Sequence, residues 1–128
     1  MFNRILVTHA HADHFGGVYD SIRLLEENKR CTEDLRVFKW LTDNDNEQEV
    51  FERYPSLREC VSDIANNQIF EIEDGLTIEA LHTPGHLDDH TSFLIREVKT
   101  LICGDVILGS TSTAIQDLDT YFTTLGLI

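Results

Sequence analysis

Residues 8–17 read THAHADHFGG and combine three of the chain's six histidines with an aspartate and two glycines. Residues 2–8 form an apolar run rich in β-formers, which predicts a buried strand that leads into this loop. In a shuffled chain of this composition, HxHxDH would arise with a chance on the order of 1 in 1000. The stretch therefore predicts a metal-binding loop at the end of a strand.

The spacing of these side chains predicts two neighbouring metal positions. His9 and His11 are two residues apart, so in an extended backbone both imidazoles point to the same side. Neutral imidazoles suit a borderline cation such as Zn²⁺. Asp13 and His14 follow where the loop turns into a predicted helix, and an anionic ligand is favourable near a helix N-terminus. Because they point elsewhere, these two side chains favour a second metal close by.

A second polar loop, residues 82–90 (HTPGHLDDH), also follows a predicted strand. His86 is its predicted ligand, because the TPG turn before it excludes a helix and lets the loop backbone come close to the predicted metal site. His82 and His90 are predicted to orient ligands or to pack against neighbouring side chains, rather than to bind metal. Asp105 follows a third predicted strand, and beside two histidine loops its carboxylate is expected to bridge two metals.

The remaining pattern predicts a layered arrangement of helices and sheets. Helices are predicted at residues 18–28, 57–65 and 117 onward, and strands at residues 36–41, 68–73, 76–81, 91–96 and 100–103. The turn dipeptide Asp74-Gly75 joins two of these strands into a hairpin. With 128 residues the chain is long enough for one domain and too short for two, so we expect a single mixed α/β domain over residues 1–128.

Composition and charge limit the partners and the compartment. The net charge of −13 works against the long-range approach of nucleic acid or an anionic membrane. No apolar run approaches the roughly 20 residues of a membrane span. Cys31, Cys60 and Cys103 form no CxxC pair, which favours a reducing compartment. Residues 1–10 carry no targeting pattern. We therefore expect an intracellular protein, in the cytoplasm or the mitochondrial matrix, with no membrane partner.

The order THAHADHFGG, HTPGHLDDH and CGD resembles the metallo-β-lactamase superfamily. The resemblance is nearest to the endoribonucleases of the β-lactamase-like protein 2 group. There a TPGH-x-DDH loop, a GD-x-ILG turn and an acidic-aromatic helix recur together, as they do here at residues 83–90, 104–109 and 117–122. The resemblance implies an αββα sandwich built from two similar halves.

The resemblance also implies a dinuclear zinc centre. One Zn²⁺ would be held by His9, His11 and His86, the other by Asp13 and His14, and Asp105 would bridge them. Asp13 would also hydrogen-bond the nucleophile, while Thr8, His82 and His90 orient ligands. Two such metals lower the pKa of a shared water, and the resulting hydroxide would cleave phosphodiester bonds of single-stranded RNA or of another small substrate.

The chain also departs from the pattern of that family. Only eight residues precede the first histidine motif, and no histidine follows His90 to complete the second metal position. We therefore expect a chain truncated at both ends, lacking N-terminal strands and a C-terminal segment. Missing strands would leave an unpaired sheet edge and favour self-association.

Three other functions compete with the ribonuclease hypothesis. A thioester hydrolase resembling glyoxalase II uses the same ligands, although DDH follows His86 where that group usually has a glycine before the histidine. The sequence also offers no clear basic cluster for the carboxylates of glutathione. True β-lactamase activity fits less well, because Asp105 stands where those enzymes commonly have a cysteine ligand. The last alternative is a catalytically impaired, truncated isoform or fragment.

Overall fold

Seven strands and five helices make up the computed structural model, which describes residues 1–128. In chain order they are β1 (Phe2–Leu6), α1 (Ala12–Phe15), α2 (Val18–Glu27), β2 (Cys31–Lys39), α3 (Asp45–Arg53), α4 (Leu57–Cys60), β3 (Val61–Asp63), β4 (Ile69–Glu71), β5 (Thr77–His82), β6 (Thr91–Ile95), β7 (Thr100–Ile102) and α5 (Leu118–Leu127). One sheet is parallel, in the order β1-β2-β3, and the other is antiparallel, in the order β4-β5-β6-β7.

Both faces of the parallel sheet are covered, as is usual for parallel sheets. Successive residues of β2 point to opposite faces, so Val37 packs with Phe15 and Phe51 of the helices on one side. Phe38 faces the antiparallel sheet, and its ring centroid lies 5.0 Å from that of Phe70. The layers are therefore helices, parallel sheet and antiparallel sheet. This confirms the predicted mixed α/β, layered fold.

Helix α5 packs against the second histidine loop. The Tyr121 hydroxyl donates to the carbonyl of Val106 at 2.7 Å, and the Thr124 hydroxyl donates to the carbonyl of Pro84 at 2.6 Å. A Cβ on Gly85, where φ is +127°, would lie only 2.5 Å from the Cα of Tyr121. The glycine of the TPG turn thus permits the close contact between this loop and α5.

Two of the sequence predictions differ from the structure. The run predicted as a buried strand is an edge strand, β1, which pairs only with β2 and leaves 56% of Phe2 exposed. The helix predicted at residues 57–65 ends at Cys60, because Val61 pairs with Val37 and begins β3. Pairing with a neighbouring strand overrides local helical pattern in that segment.

The helices are short, the longest having ten residues. None is long and apolar enough to cross a membrane.

Candidate metal centre

Three loops bring the chemically active side chains to one end of the two sheets. The first loop follows β1, the second follows β5, and a turn of 3₁₀ helix at Gly104–Val106 follows β7. Strands β5 and β7 run in the same direction because both are antiparallel to β6, so their carboxyl ends lie at the same sheet edge. The backbone N–H of Thr91 donates to the carbonyl of Thr8 at 2.8 Å and ties the first loop to the antiparallel sheet.

Three imidazoles converge at the centre, and we call them the three-histidine position: His9, His11 and His86. The distance from His9 Nε2 to His11 Nδ1 is 3.0 Å. His86 Nε2 lies 3.1 Å from His11 Nδ1 and 3.3 Å from His9 Nε2. Asp105 approaches the same point, with Oδ2 3.9 Å from His9 Nε2 and 3.8 Å from His86 Nε2. These four residues could hold a metal ion.

The spacing of the donor atoms suits a tetrahedral cation. With Zn–N distances of about 2.0–2.1 Å, the edges of a tetrahedron are about 3.3–3.4 Å long. The three nitrogen–nitrogen distances, 3.0, 3.1 and 3.3 Å, are close to that value. A carboxylate oxygen on the fourth side supplies the negative charge that three neutral imidazoles lack. The donor set therefore fits a divalent cation, and it does not distinguish zinc from other borderline metals.

Burial keeps the rings of His9 and His90 neutral. Burial lowers the pKa of His9 to about 2, helped by repulsion from His14 and its other imidazole neighbours. Burial likewise lowers the pKa of His90 to about 3, with His86 as the next cause. Unprotonated imidazoles present free lone pairs, which is the state that metal binding requires.

Asp13 and His14 lie on the outer side of this cluster and are less enclosed. His14 Nε2 is 3.3 Å from Asp105 Oδ1 and 3.6 Å from Asp13 Oδ2, so Asp105 faces both sides of the centre. The side chain of Asp13 is 79% exposed, whereas that of His9 is fully buried. Of the six predicted ligands, the structure brings four into one compact group and leaves these two at its rim.

Two of the three predicted orienting residues touch the ligands. Thr8 Oγ1 is 3.0 Å from His9 Nδ1 and 3.5 Å from His14 Nδ1. His90 Nε2 accepts a hydrogen bond from the backbone N–H of Asp105 at 3.2 Å. This bond requires the close approach that Gly104 permits, since a Cβ there would lie 2.6 Å from the same nitrogen.

His82 is placed differently from the other predicted orienting residues. Its ring stacks on Trp40 with centroids 3.7 Å apart, and its Nε2 lies 2.9 Å from the carbonyl oxygen of Asp88. Neither contact reaches a predicted metal ligand, so His82 supports the outer part of the second loop.

A buried ion cluster beneath the second loop was not among the sequence predictions. The Lys39 ammonium, at the end of β2, lies 2.5 Å from Glu47 Oε1 of α3 and 2.6 Å from Asp89 Oδ2 of the loop. All three side chains are at most 1% exposed. Burial raises the pKa of Asp89, and the Lys39 charge opposes that rise. Breaking a buried pair of this kind typically costs about 3–5 kcal/mol, so the cluster anchors the loop that carries His86.

The sequence carries one signal for this cluster, the lone lysine inside the apolar run RVFKWL at residues 36–41. A lysine within a buried strand needs a partner, and the acidic residues that follow could have supplied one.

Comparison with known proteins identifies a family profile that matches residues 2–123, described as the Metallo-beta-lactamase superfamily. Among curated proteins, an atrochrysone carboxyl ACP thioesterase from Claviceps purpurea is 35% identical over 123 residues, covering 96% of this chain and 33% of that protein. Another from Pseudocercospora fijiensis is 36% identical over 121 residues, covering 94% of this chain and 30% of that protein. The chain thus spans about a third of the length of these relatives.

Among solved structures, a beta-lactamase domain protein from Burkholderia ambifaria aligns with a TM-score of 0.69 at 24% identity, over 97% of this chain and 44% of that one. At such identity the likeness shows the fold alone.

These comparisons correct the function implied by the resemblance. The relatives described above are thioesterases and not ribonucleases, so they do not support an endoribonuclease, a single-stranded RNA substrate or a mitochondrial location. They agree better with the thioester hydrolase that was the alternative.

Proposed function

Because this chain belongs to the metallo-beta-lactamase superfamily, we propose that it forms the metal-binding part of a hydrolase that cleaves thioesters. The observation that carries the proposal is the three-histidine position, whose donor nitrogens lie 3.0–3.3 Å apart and face Asp105. The substrate class comes from the relatives, which are described as atrochrysone carboxyl ACP thioesterases.

The six candidate ligands would bind metal at two neighbouring positions. His9, His11 and His86 would hold one metal ion, Asp13 and His14 the other, and Asp105 would contact both. Divalent metals bound in such a site polarise a carbonyl oxygen and lower the pKa of water. The low pKa of His9 keeps its lone pair available at neutral pH.

Asp13 is the candidate for proton transfer. Its carboxylate is mostly exposed and lies 3.6 Å from His14 Nε2, at the open side of the centre. A carboxylate there can accept the proton of an attacking water, because it is not enclosed by other hydrogen-bond donors. Attack of that water on the thioester carbonyl would form the new carbon–oxygen bond and break the carbon–sulfur bond. The departing sulfur would take the proton held by Asp13, so that a thiol and a carboxylic acid are released.

A thioester also fits the charge of the chain better than RNA does. A net charge of −13 repels a polyphosphate, and a long nucleic-acid groove requires clustered cations. An acyl thioester carries no charge at the reacting carbonyl, so it needs only access to the metals.

The test measures hydrolysis of an acyl thioester of N-acetylcysteamine, which imitates the arm of a carrier protein. Thiol release is followed with added Zn²⁺, Mn²⁺ or Fe²⁺, and a glutathione thioester and a short single-stranded RNA are run in parallel. We expect metal-dependent thiol release that is lost in His86→Ala and retained in His82→Ala. Equal turnover by all three proteins, cleavage of RNA alone, or no turnover of the thioester by folded, metal-loaded protein would each contradict the proposal.

A further inference from the structure

The segment that follows Asp105 folds back over the second histidine loop. Residues 107–117 run from the 3₁₀ turn to α5, and the backbone N–H groups of Gln116 and Asp117 both donate to the carbonyl of Gly85, at 2.8 and 3.1 Å. Within this exposed run Thr113 is half-buried, while Thr111, Ser112 and Ala114 are exposed. One hydroxyl of the segment therefore points inward, toward the metal centre.

The hydrogen bonds of His86 fix which ring nitrogen carries its proton. Nδ1 lies 2.6 Å from the carbonyl oxygen of Ala114 and 3.0 Å from Thr113 Oγ1. A carbonyl oxygen only accepts, so Nδ1 is the protonated nitrogen. Nε2 then has a free lone pair, and it is the atom that faces His9 and His11.

The Thr113 hydroxyl has a defined direction as well. Its oxygen is 2.5 Å from the carbonyl oxygen of Asp105 and 3.3 Å from that of Ala114, so its proton goes to the nearer acceptor, Asp105. The lone pairs of the same oxygen are then left to accept from the Nδ1–H of His86. A single hydroxyl thus links the ring of one predicted ligand to the backbone of another, across two separate loops.

We propose that Thr113 is a positioning residue of the metal centre, which joins the His86 ring to the Asp105 backbone and, together with the carbonyl of Ala114, holds His86 in the Nδ1-protonated form. The inference rests on the proposed function, since it concerns ligands assigned there. Partners that orient a metal-binding histidine typically contribute about 10- to 100-fold in metal affinity. Valine at this position keeps the volume and removes both hydrogen bonds, whereas serine keeps the hydroxyl.

The experiment compares the wild-type protein with Thr113→Val, Thr113→Ser and Thr111→Val. Thr111 is an exposed threonine of the same segment and serves as the matched control. Metal affinity is measured by competition with a chromophoric chelator, and the visible spectrum of the Co²⁺ protein reports the ligand geometry. We expect Thr113→Val to bind metal about 10- to 100-fold more weakly and to change the Co²⁺ spectrum. Thr113→Ser and Thr111→Val are expected to match the wild type.

The outcomes separate this proposal from the proposed function. Wild-type protein that folds and binds no metal contradicts the proposed function. Wild-type protein that binds metal, with Thr113→Val equal to Thr111→Val in affinity and spectrum, contradicts the role of Thr113. Imidazole ¹⁵N spectra of the metal-free wild type add a test without any variant, because an Nε2-protonated His86 would overturn the proposal even if Thr113→Val fails to fold.

Discussion

The two sides of the metal centre are built very differently. The three-histidine position is enclosed, with His9 fully buried and with donor nitrogens 3.0–3.3 Å apart. The opposite side consists of Asp13 and His14 on the four-residue helix α1, and the side chain of Asp13 is 79% exposed. The carboxylate of Asp105 faces both sides, with Oδ2 3.9 Å from His9 Nε2 and Oδ1 3.3 Å from His14 Nε2.

This difference indicates that the two metal positions differ in affinity. Donors held by packing and hydrogen bonds lose little freedom when a metal binds, so binding there is stronger. Asp13 has to give up solvent contacts and rotamer freedom before it can bind. We therefore expect one metal to bind tightly at the three-histidine position and a second to bind more weakly beside it.

The largest effect on metal affinity is expected when one ligand of the three-histidine position is removed. His86→Ala removes one of the three converging nitrogens, so metal affinity should fall by more than the roughly 100-fold that loss of an outer partner costs. Chelator competition at pH 7 measures the change.

The matched control for this variant is His82→Ala, in the same loop. His82 stacks on Trp40 and touches no predicted ligand, so its loss should leave metal affinity unchanged. If both variants lose metal equally, the loop as a whole is responsible and the three-histidine position is not a distinct site.

A smaller effect is expected on the exposed side. Asp13→Asn keeps the size of the side chain and removes its charge, so the bound metal should fall from two equivalents to one while the tighter equivalent is retained. Hydrolysis should decrease by about 100-fold, at the lower end of what a positioned proton acceptor contributes. Metal analysis after gel filtration gives the stoichiometry, and loss of both metals together would refute the proposed difference in affinity.

The last effect concerns the stability of the metal-free protein and its dependence on pH. The pKa values of His9 and His90 are lowered to about 2 and about 3, whereas both groups titrate near 6.5 in the unfolded chain. As pH falls below 6.5, only the unfolded state takes up these protons, so stability that is complete above pH 6.5 is progressively lost toward pH 3.

Well below pH 6.5, the free energy of unfolding is expected to fall by about 1.4 kcal/mol for each pH unit and each histidine, which is tenfold in the folding equilibrium. Urea unfolding in EDTA between pH 7 and pH 5 measures it. A urea midpoint that stays constant between pH 7 and pH 5 would show that the imidazoles of His9 and His90 are not buried in the neutral form.

Local sequence pattern predicts the elements that depend on local chemistry. The hairpin of β4 and β5 follows from alternation and the Asp74-Gly75 turn, whose residues both have positive φ. The motif spacing also predicts that His9, His11, His86 and Asp105 meet, and the structure brings them together. Their binding of metal stays a prediction.

Local sequence patterns do not predict contacts between segments that are distant in the chain. The end of α4 depends on the pairing of Val61 with Val37, and the partners of Lys39 come from a helix and a loop that follow it. Thr113 is one of four consecutive serines and threonines at residues 110–113, so nothing in the sequence marks it as the one that faces His86. These features arise from tertiary packing and not from local propensity.

The most direct test is a count of metal ions on purified, monodisperse wild-type protein and on His86→Ala. After loading with zinc, iron or manganese and gel filtration, elemental analysis gives the metal content per chain. We predict at least one tightly held equivalent in the wild-type protein and none in His86→Ala. Folded wild-type protein that retains no metal, or equal metal content in the two proteins, would contradict the account.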